Sequence, residues 1–510
     1  MSCSNSRSSR LISSGKQLAH KACIAFCLLS VTVGNLLATE SHVAPNVILI
    51  VADDLGYGDV STYGNDEVPT PNIDRIAQDG VLFTQAYSVA AVCSPSRAGL
   101  ITGRYPHRYG FEFNAGDAER VEREGLGLDA AEITLADMLK AQGYRTGLVG
   151  KWHLGSQDGI YRPNDRGFDY FFGIHSGQTL YIDPNLPDVI SRPRLPNARA
   201  VLQEVYENDV IVDNFDVYLT EDFTAKAIDF ITDNQGVRFF LNLSYTAPHR
   251  PLQVTEKYLA RFSDEPDLSR RIYKAMIAAM DDGIGEILDT LDFLDLARDT
   301  MVIFTSDNGC VFVRSCNPGT LLSHLGVKLY GGKYSYFEGG IRVPFIMKWP
   351  RGLPKGQVDD RYVSGLDIVP TVIAATQAEL PKDRRYDGTD LMPYVTGANV
   401  GNPHDYLFWK TDHLHAIRRG PWKLYEALQP NPENYLSPPA VFPPPFALLF
   451  DVGGDPGELI NQAVSEPAKV ELLRRKFSVF EESASEPAWP ARELRQSPME
   501  VEGTRLYVPY

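Results

Sequence analysis

Basic residues are in short supply. Lys and Arg total 49 against 65 Asp and Glu in 510 residues, a formal charge of −16. Four of the basic residues (Arg7, Arg10, Lys16 and Lys21) lie in the first 38 positions, which hold no acid, so the remainder carries 45 against 65. Phosphate backbones are bound by clustered Lys and Arg, so a generic nucleic-acid binder is excluded. Long apolar runs are equally scarce. The one candidate, Ala22–Ala38, is interrupted by Ser30, Thr32, Gly34 and Asn35 and is short for a span of about 20 residues. Preceded by its basic stretch and ending in a cleavage site at Leu36-Leu37-Ala38, it reads as a signal peptide over 1–38. The expectation is an exported protein, periplasmic or secreted, with no stable transmembrane span. Cysteine is sparse too. Three of the six (Cys3, Cys23 and Cys27) fall within the signal, leaving Cys93, Cys310 and Cys316. Cys310 and Cys316 are near enough in sequence to pair, which would leave Cys93 alone in an oxidising compartment. No internal repeat is present. Apolar residues at 44% and charged residues at 22% exclude disorder over most of the length.

What is there is a regular alternation of apolar runs and helical patterns from about 46 to 350. Asn46–Ala52 is continuously apolar, as in a strand covered on both faces. Thr70-Pro71 opens a helix with Thr70 as its cap, and Gly80 closes it. A helix over Ile133–Gln142 precedes a strand over Tyr144–Val149. A helix capped by Thr220 precedes a strand over Val237–Leu243. A long helix over Leu268–Leu296 precedes a buried strand over Met301–Thr305. This order predicts an α/β fold: a large, mostly parallel mixed sheet flanked by helices. The pattern changes near 396. Segments 405–409, 413–418 and 422–427 read as short antiparallel strands, and Glu466–Glu482 as a helix packed on them. The domains expected are therefore 45–395 and a smaller C-terminal α+β domain, 396–510.

The polar residues gather at strand ends. Asp53-Asp54 follow the first strand, Lys151 and His153 a second, His249 a third, and Asp307-Asn308 a fourth. Ligands of open parallel sheets bind beyond the carboxyl ends of the strands, so four such ends predict one convergent site. Carboxylates with an amide suit hard cations such as Ca²⁺ or Mg²⁺ rather than Zn²⁺. Cys93-Ser94-Pro95-Ser96-Arg97 predicts a helix starting at Ser94 and stopping at Gly103. Cys93 would sit just ahead of an anion-favouring N-terminus, and Arg97 one turn further on.

These motifs resemble the type I, formylglycine-dependent sulfatases of the alkaline phosphatase superfamily; the chain looks arylsulfatase-like. Cys93–Gly103 is similar to the family's C-x-P-S-R-A-x-L-x-T-G signature, and Asp53–Asp59 to its D-D-x-G-x-G-D. Gly150–Gly155 resembles G-K-W-H-L-G, Pro248–Pro251 P-H-x-P, and Ser306–Gly309 S-D-N-G. Gly331–Pro344 resembles G-G-K…E-G-G-I-R-V-P, and Leu449–Glu458 L-Y-D…D-P-x-E. The likeness spans about 46 to 463 in the family's order. Two departures stand out: a long connection from Asn308 to Gly331, and Tyr334 and Tyr336 beside Lys333, where the family more often has small residues.

The resemblance implies an alkaline-phosphatase-like fold and hydrolysis of a sulfate ester, with a sulfated carbohydrate as the expected substrate. It also implies oxidation of Cys93 to formylglycine by a dedicated modification system. The hydrated aldehyde puts two oxygens on one carbon, one to attack sulfur and one to expel sulfate. Asp53, Asp54, Asp307 and Asn308, with residue 93, would hold one divalent cation, Ca²⁺ by expectation. Arg97 would stabilise the nucleophile and Lys151 and Lys333 the sulfate oxygens. His249 would protonate the leaving alcohol and His153 would take the proton that frees sulfate. The loop 183–198 and the second domain would shape selection. The alternatives are a phosphodiester or phosphonate monoester hydrolase of the same superfamily, and a non-catalytic glycan-binding relative. The first is disfavoured because only one metal set is visible, with Asp307-Asn308 where two-zinc phosphatases of the superfamily often have Asp-His; the second is disfavoured because no expected ligand or nucleophile is missing.

Overall fold

The structure is a computed structural model describing residues 44–116, 118–192, 204–212, 215–311, 328–501 and 504–509. The expected signal peptide therefore lies outside the described residues. Ten strands form the main sheet. In chain order they are β1 (Asn46–Ala52), β2 (Val81–Tyr87), β3 (Arg145–Lys151), β4 (Tyr170–Ile174), β5 (Val205–Glu207), β6 (Val210–Val212), β7 (Phe239–Ser244), β8 (Thr300–Ser306), β9 (Phe345–Lys348) and β10 (Gln357–Ser364). Their spatial order is β10-β2-β9-β8-β1-β7-β3-β4-β5-β6. The central run β8-β1-β7-β3-β4 is parallel throughout, and antiparallel strands lie on either side of it. Register is strict at the centre: β1 pairs with β8 from Asn46–Thr300 to Ala52–Ser306. The large mixed sheet matches the expectation.

The alternation of side chains along β1 shows why its sequence is continuously apolar. Ile48, Ile50 and Ala52 point to one face, where helices α1 (Pro71–Gln78), α4 (Leu219–Asp233) and α5 (Leu268–Phe293) supply Ile76, Phe223 and Ile284. Val47, Leu49 and Val51 point to the other, against α2 (Cys93–Thr102), α3 (Leu135–Ala141) and α6 (Ile368–Thr376), which bring Leu100, Leu139 and Val372. All seven residues of β1 are buried. Each such aliphatic side chain contributes about 1.5–3 kcal/mol on removal from water. That burial anchors the strand ends where the polar residues sit.

Helix ends correct several sequence expectations. Thr70 does not cap α1 through its side chain, which pairs with Ser61 instead. Asp281, buried on α5, takes that role from a distance. It accepts the backbone N–H of Asn72 (3.2 Å) and of Ile73 (2.8 Å), with Asn72 Nδ2 at 3.1 Å. A remote carboxylate can satisfy orphan helix donors as well as an adjacent cap does, and sequence spacing cannot show it. Asp281→Ala should therefore destabilise the fold by about 1–3 kcal/mol, read by denaturant unfolding, because it strands buried donors. A wild-type midpoint would remove this account of α1. Thr220 lies inside α4, which starts at Leu219 after Tyr218. Thr134 does cap α3, accepting from Asp137 N.

A four-stranded antiparallel sheet lies in the C-terminal region: β11 (Leu407–Thr411), β12 (Leu414–Arg419), β13 (Trp422–Ala427) and β14 (Phe446–Asp451). The first three match the expected strands to within two residues; β14, preceded by a proline-rich loop, was not anticipated. Ile417, Leu424 and Leu449 face helix α7 (Pro467–Glu481) with its Leu473, Phe477 and Phe480. Ala416, Tyr425 and Leu448 face the other way, onto Tyr336, Phe337 and Ile341. All these elements lie in one unit, Pro45–Tyr510.

A buried ion cluster joins the two sheets. Lys423 of β13 lies 2.7 Å from both Glu338 and Glu458, and Glu338 also accepts from Tyr87 at 2.7 Å. Two carboxylates share one ammonium, which drives their proton affinities apart. Burial pushes Glu338 up, but Lys423, Arg342 and Arg418 outweigh it and hold it low. Burial and neighbouring Glu338 push Glu458 up to about 7 against the pull of Lys423. A carboxyl raised above its unfolded value contributes stability at low pH and loses it as pH rises through the folded value. Glu458→Gln should therefore gain stability relative to wild type as pH rises from about 5 to 8. Unfolding free energies of the two proteins across that range measure it; a constant difference contradicts the assignment.

Candidate active site

The four polar strand ends belong to four neighbouring parallel strands, β8, β1, β7 and β3. Cross-links knit them together: Asp53 N donates to Ala247 O and Asp307 N to Ala52 O, both at 3.1 Å. Lys151 is the last residue of β3 rather than part of the following loop. Asp54 and His153 both adopt left-handed backbone, with φ of 63° and 61°. Non-glycine residues held there carry local strain, a feature that concentrates at functional sites.

The structure brings together every side chain the sequence pointed to. Asp53 Oδ2 accepts from Lys151 Nζ at 2.7 Å. Asp54 Oδ1 accepts from Lys333 Nζ and from Asn308 Nδ2, both at 2.7 Å. Asp307 Oδ2 accepts from Arg97 Nε at 2.8 Å, with Nη2 in ion-pair contact at 2.7 Å. Lys333 Nζ also donates to Cys93 Sγ at 2.9 Å. His249 Nε2 lies 3.5 Å from Asp54 Oδ2, while its Nδ1 is 2.6 Å from the Arg250 carbonyl. That contact fixes the tautomer, with the proton on Nδ1 and Nε2 turned to the site.

Cys93 corrects an expectation of position. It is the first residue of α2, after Val92, not the residue before the helix. Gly103 ends the helix as expected, at φ 69°. Burial pushes the Cys93 thiol up, yet Lys151 and Lys333 more than offset it and bring it to about 6. Position 93 therefore favours a negatively charged atom.

The turn carrying Lys333 is held by backbone. Lys333 N donates to Cys310 O at 2.8 Å and Tyr334 N to Ala91 O at 2.9 Å. Gly340 is required beneath it, since a Cβ there would lie 2.1 Å from Ser335 O. The two tyrosines of this turn differ in fate. Tyr334, at φ 75°, places its ring 5.7 Å from Lys333 Nζ, beside the site. Tyr336 is buried against Tyr425 and bonds to Thr411, so it packs on the small sheet. Cys316 and residues 193–198 of the proline-rich loop lie outside the described residues.

One functional contact was missed. Ser244, the last residue of β7, accepts from Arg97 Nη1, and Lys151 O accepts from the same nitrogen at 3.2 Å. Its position at a strand end next to those already noted was the available signal.

The donor chemistry fits a hard cation. Asp53 Oδ1, Asp54 Oδ2 and Asn308 Oδ1 are buried and have no hydrogen-bond partner. Buried oxygens are rarely left so, and three together match the ligands of Ca²⁺ or Mg²⁺. Asp53, Asp54, Cys93 and His249 also place donor atoms within 4.8 Å of one another. His249 is an addition to the expected ligand neighbourhood. Asp307, by contrast, has Oδ1 accepting from Asp54 N at 3.2 Å and Oδ2 engaged with Arg97.

Comparison with known proteins decides the family. The family model described as Sulfatase matches residues 45–378. The chain belongs to the sulfatase family. Human steryl-sulfatase is 33% identical over 523 residues, covering 85% of this chain and 87% of that protein. An N-acetylgalactosamine-6-O-sulfatase of Bacteroides thetaiotaomicron is also 33% identical, with 84% and 91% covered. The crystal structure of Ps i-CgsB in complex with k-i-k-neocarrahexaose is 30% identical, with a TM-score of 0.75, and covers 88% of this chain and 94% of that one. This sulfatase is accordingly a sulfuric ester hydrolase. The family uses a metal ion and a formylglycine, and the cluster around Asp53 and Asp54 can hold a metal. Among the described residues of the sulfatase, no helix is long and apolar enough to cross a membrane.

Proposed function

We propose that this chain is an exported sulfatase that removes sulfate from a sulfated carbohydrate, with formylglycine at position 93 and one divalent cation, Ca²⁺. The observation that carries the reading is Cys93 itself: a buried side chain at a helix start, 2.9 Å from Lys333 Nζ and in a site with three buried oxygens that accept no hydrogen bond. The names of the relatives, an N-acetylgalactosamine-6-O-sulfatase and a protein complexed with a neocarrahexaose, support the carbohydrate. A signal removed after Ala38 by a secretion pathway, and oxidation of Cys93 by a modification system, complete the proposal.

Asp53, Asp54 and Asn308 would hold the cation through their free oxygens, Asp307 through an oxygen that also accepts a hydrogen bond, with residue 93 alongside; it would supply positive charge for the nucleophile and a sulfate oxygen. Formylglycine would supply the paired oxygens that a thiol lacks. The chain's own groups do the rest. Lys151 and Lys333 neutralise sulfate oxygens, and Arg97 is braced by Asp307 and Ser244 to face position 93. Sulfuryl transfer needs mainly such positioning and charge stabilisation, as phosphoryl transfer does. Burial depresses His249, but Asp53 and Asp54 prevail and raise it, which favours the protonated ring that a leaving alcohol needs. Burial, Lys151 and Arg97 drive His153 well below the ordinary imidazole range, so it stays neutral and free to accept a proton.

Released sulfate from a panel of sulfated mono- and oligosaccharides tests the reading. Turnover of phosphonate monoesters or phosphodiesters in preference to sulfate esters would move the assignment to those hydrolases. Chelation should abolish turnover, and Ca²⁺ should restore it. Asp53→Asn should lower metal content and turnover together; full activity in chelator contradicts the metal's role.

A further inference from the structure

A cavity of about 370 Å³ opens beside His153, bordered by Glu122, Gly155, Arg162, His175 and Tyr206. That volume lies within the range of small-molecule sites. His175 follows the end of β4, next to β3, and its carbonyl accepts from His153 N at 3.1 Å. The catalytic-site strand end and this residue are thus joined by backbone. The imidazole is clamped: Phe171 stacks on it at 5.0 Å and Tyr206 lies 4.4 Å away. It is 7% exposed, and its Nε2 is buried without a hydrogen-bond partner while the side chain lines the cavity. A buried ring nitrogen costs stability unless something pairs with it.

We infer that His175 is a recognition residue whose Nε2 bonds a hydroxyl of the sugar that leaves, seated in the cavity beside His153. This deepens the sulfatase reading and rests on it. Burial and Arg162 hold the imidazole down at about 4, so it is neutral at working pH. A neutral imidazole pairs with a hydroxyl, which both donates and accepts, without the desolvation of a second charge. The remaining walls agree: an aromatic ring from Tyr206, carboxylates from Glu122 and Glu204, and the Arg162 guanidinium. Apolar surface with a few convergent polar groups is the usual make-up of a site that orients a small polar ligand.

The test compares a sugar with a small aryl ester. The probes are N-acetylgalactosamine 6-sulfate, galactose 6-sulfate and glucosamine 6-sulfate, set against 4-nitrophenyl sulfate. His175→Phe keeps a stacking ring and removes the nitrogen; His175→Gln returns an amide near it. For the sugar sulfate that wild type cleaves best, His175→Phe should raise KM by roughly tenfold, the worth of one hydrogen bond. The aryl ester should suffer by a smaller factor, and His175→Gln should recover part of the sugar preference. In wild type, the desulfated sugar should inhibit aryl turnover competitively, a measurement that needs no variant. Equal losses on sugar and aryl esters, or no inhibition by the sugar, overturn the inference. A wild type that cleaves the aryl ester but none of the sugars overturns it too, while leaving the sulfatase reading intact. Inactivity on all four esters overturns that reading instead.

Discussion

Cys93→Ala should abolish sulfate-ester turnover, by a factor on the order of 10⁶, as removal of a covalent nucleophile does elsewhere. The fold should survive. Lys333 keeps its 2.7 Å contact with Asp54, so deleting the thiol strands no buried charge. Initial rates on 4-nitrophenyl sulfate and thermal melts of the same preparation measure both halves. Turnover near the wild-type rate would mean that residue 93 is a bystander and that catalysis runs through the remaining cations alone. A collapse of the melting temperature would instead make Cys93 a packing residue. The 2.9 Å contact with Lys333 and the thiol's lowered range argue against that.

His249→Ala should have the next largest effect, and its size should depend on the substrate. Protonation by a placed acid is worth about 10²–10⁴-fold when the leaving group needs it. A sugar alcohol leaves poorly without a proton, so its ester should lose that full factor. An activated aryl sulfate leaves readily and should lose much less. The geometry behind this is the tautomer set by the Arg250 carbonyl, which turns Nε2 to the site. His153 should behave otherwise. Assigned to the step after the alcohol departs, His153→Ala should slow every substrate alike and release a burst of alcohol ahead of sulfate. Equal impairment of sugar and aryl esters by His249→Ala contradicts the acid assignment.

The legible parts of this chain are those in which local pattern and global fold agree. The six apolar residues of β1, its acidic successors, and the repeated arrival of polar residues at strand ends were enough to expect a sheet with a convergent site. The structure puts those ends on adjacent strands. What could not be read depends on long-range contacts. Asp281 caps a helix about 200 residues away, which no window of sequence contains. Tyr334 and Tyr336 are two residues apart in one turn, yet one borders the site and the other is buried beneath the small sheet. Only the packing of β11 and β13 against the turn separates them. Ser244 shares this lesson. It ends a strand and looks ordinary in sequence. It acquires meaning from Arg97, which donates to it from another element. β14 escaped notice because the proline-rich loop before it hid its pairing with β13.

The central claim is that residue 93 acts as formylglycine. Peptide mass spectrometry of the 93-containing fragment, on the preparation whose sulfate release has been measured, tests it most directly. The account predicts that the thiol is gone, that an aldehyde reactive toward hydrazines stands in its place, and that the converted fraction tracks specific activity. Full activity in protein carrying only unmodified cysteine at position 93 would contradict it.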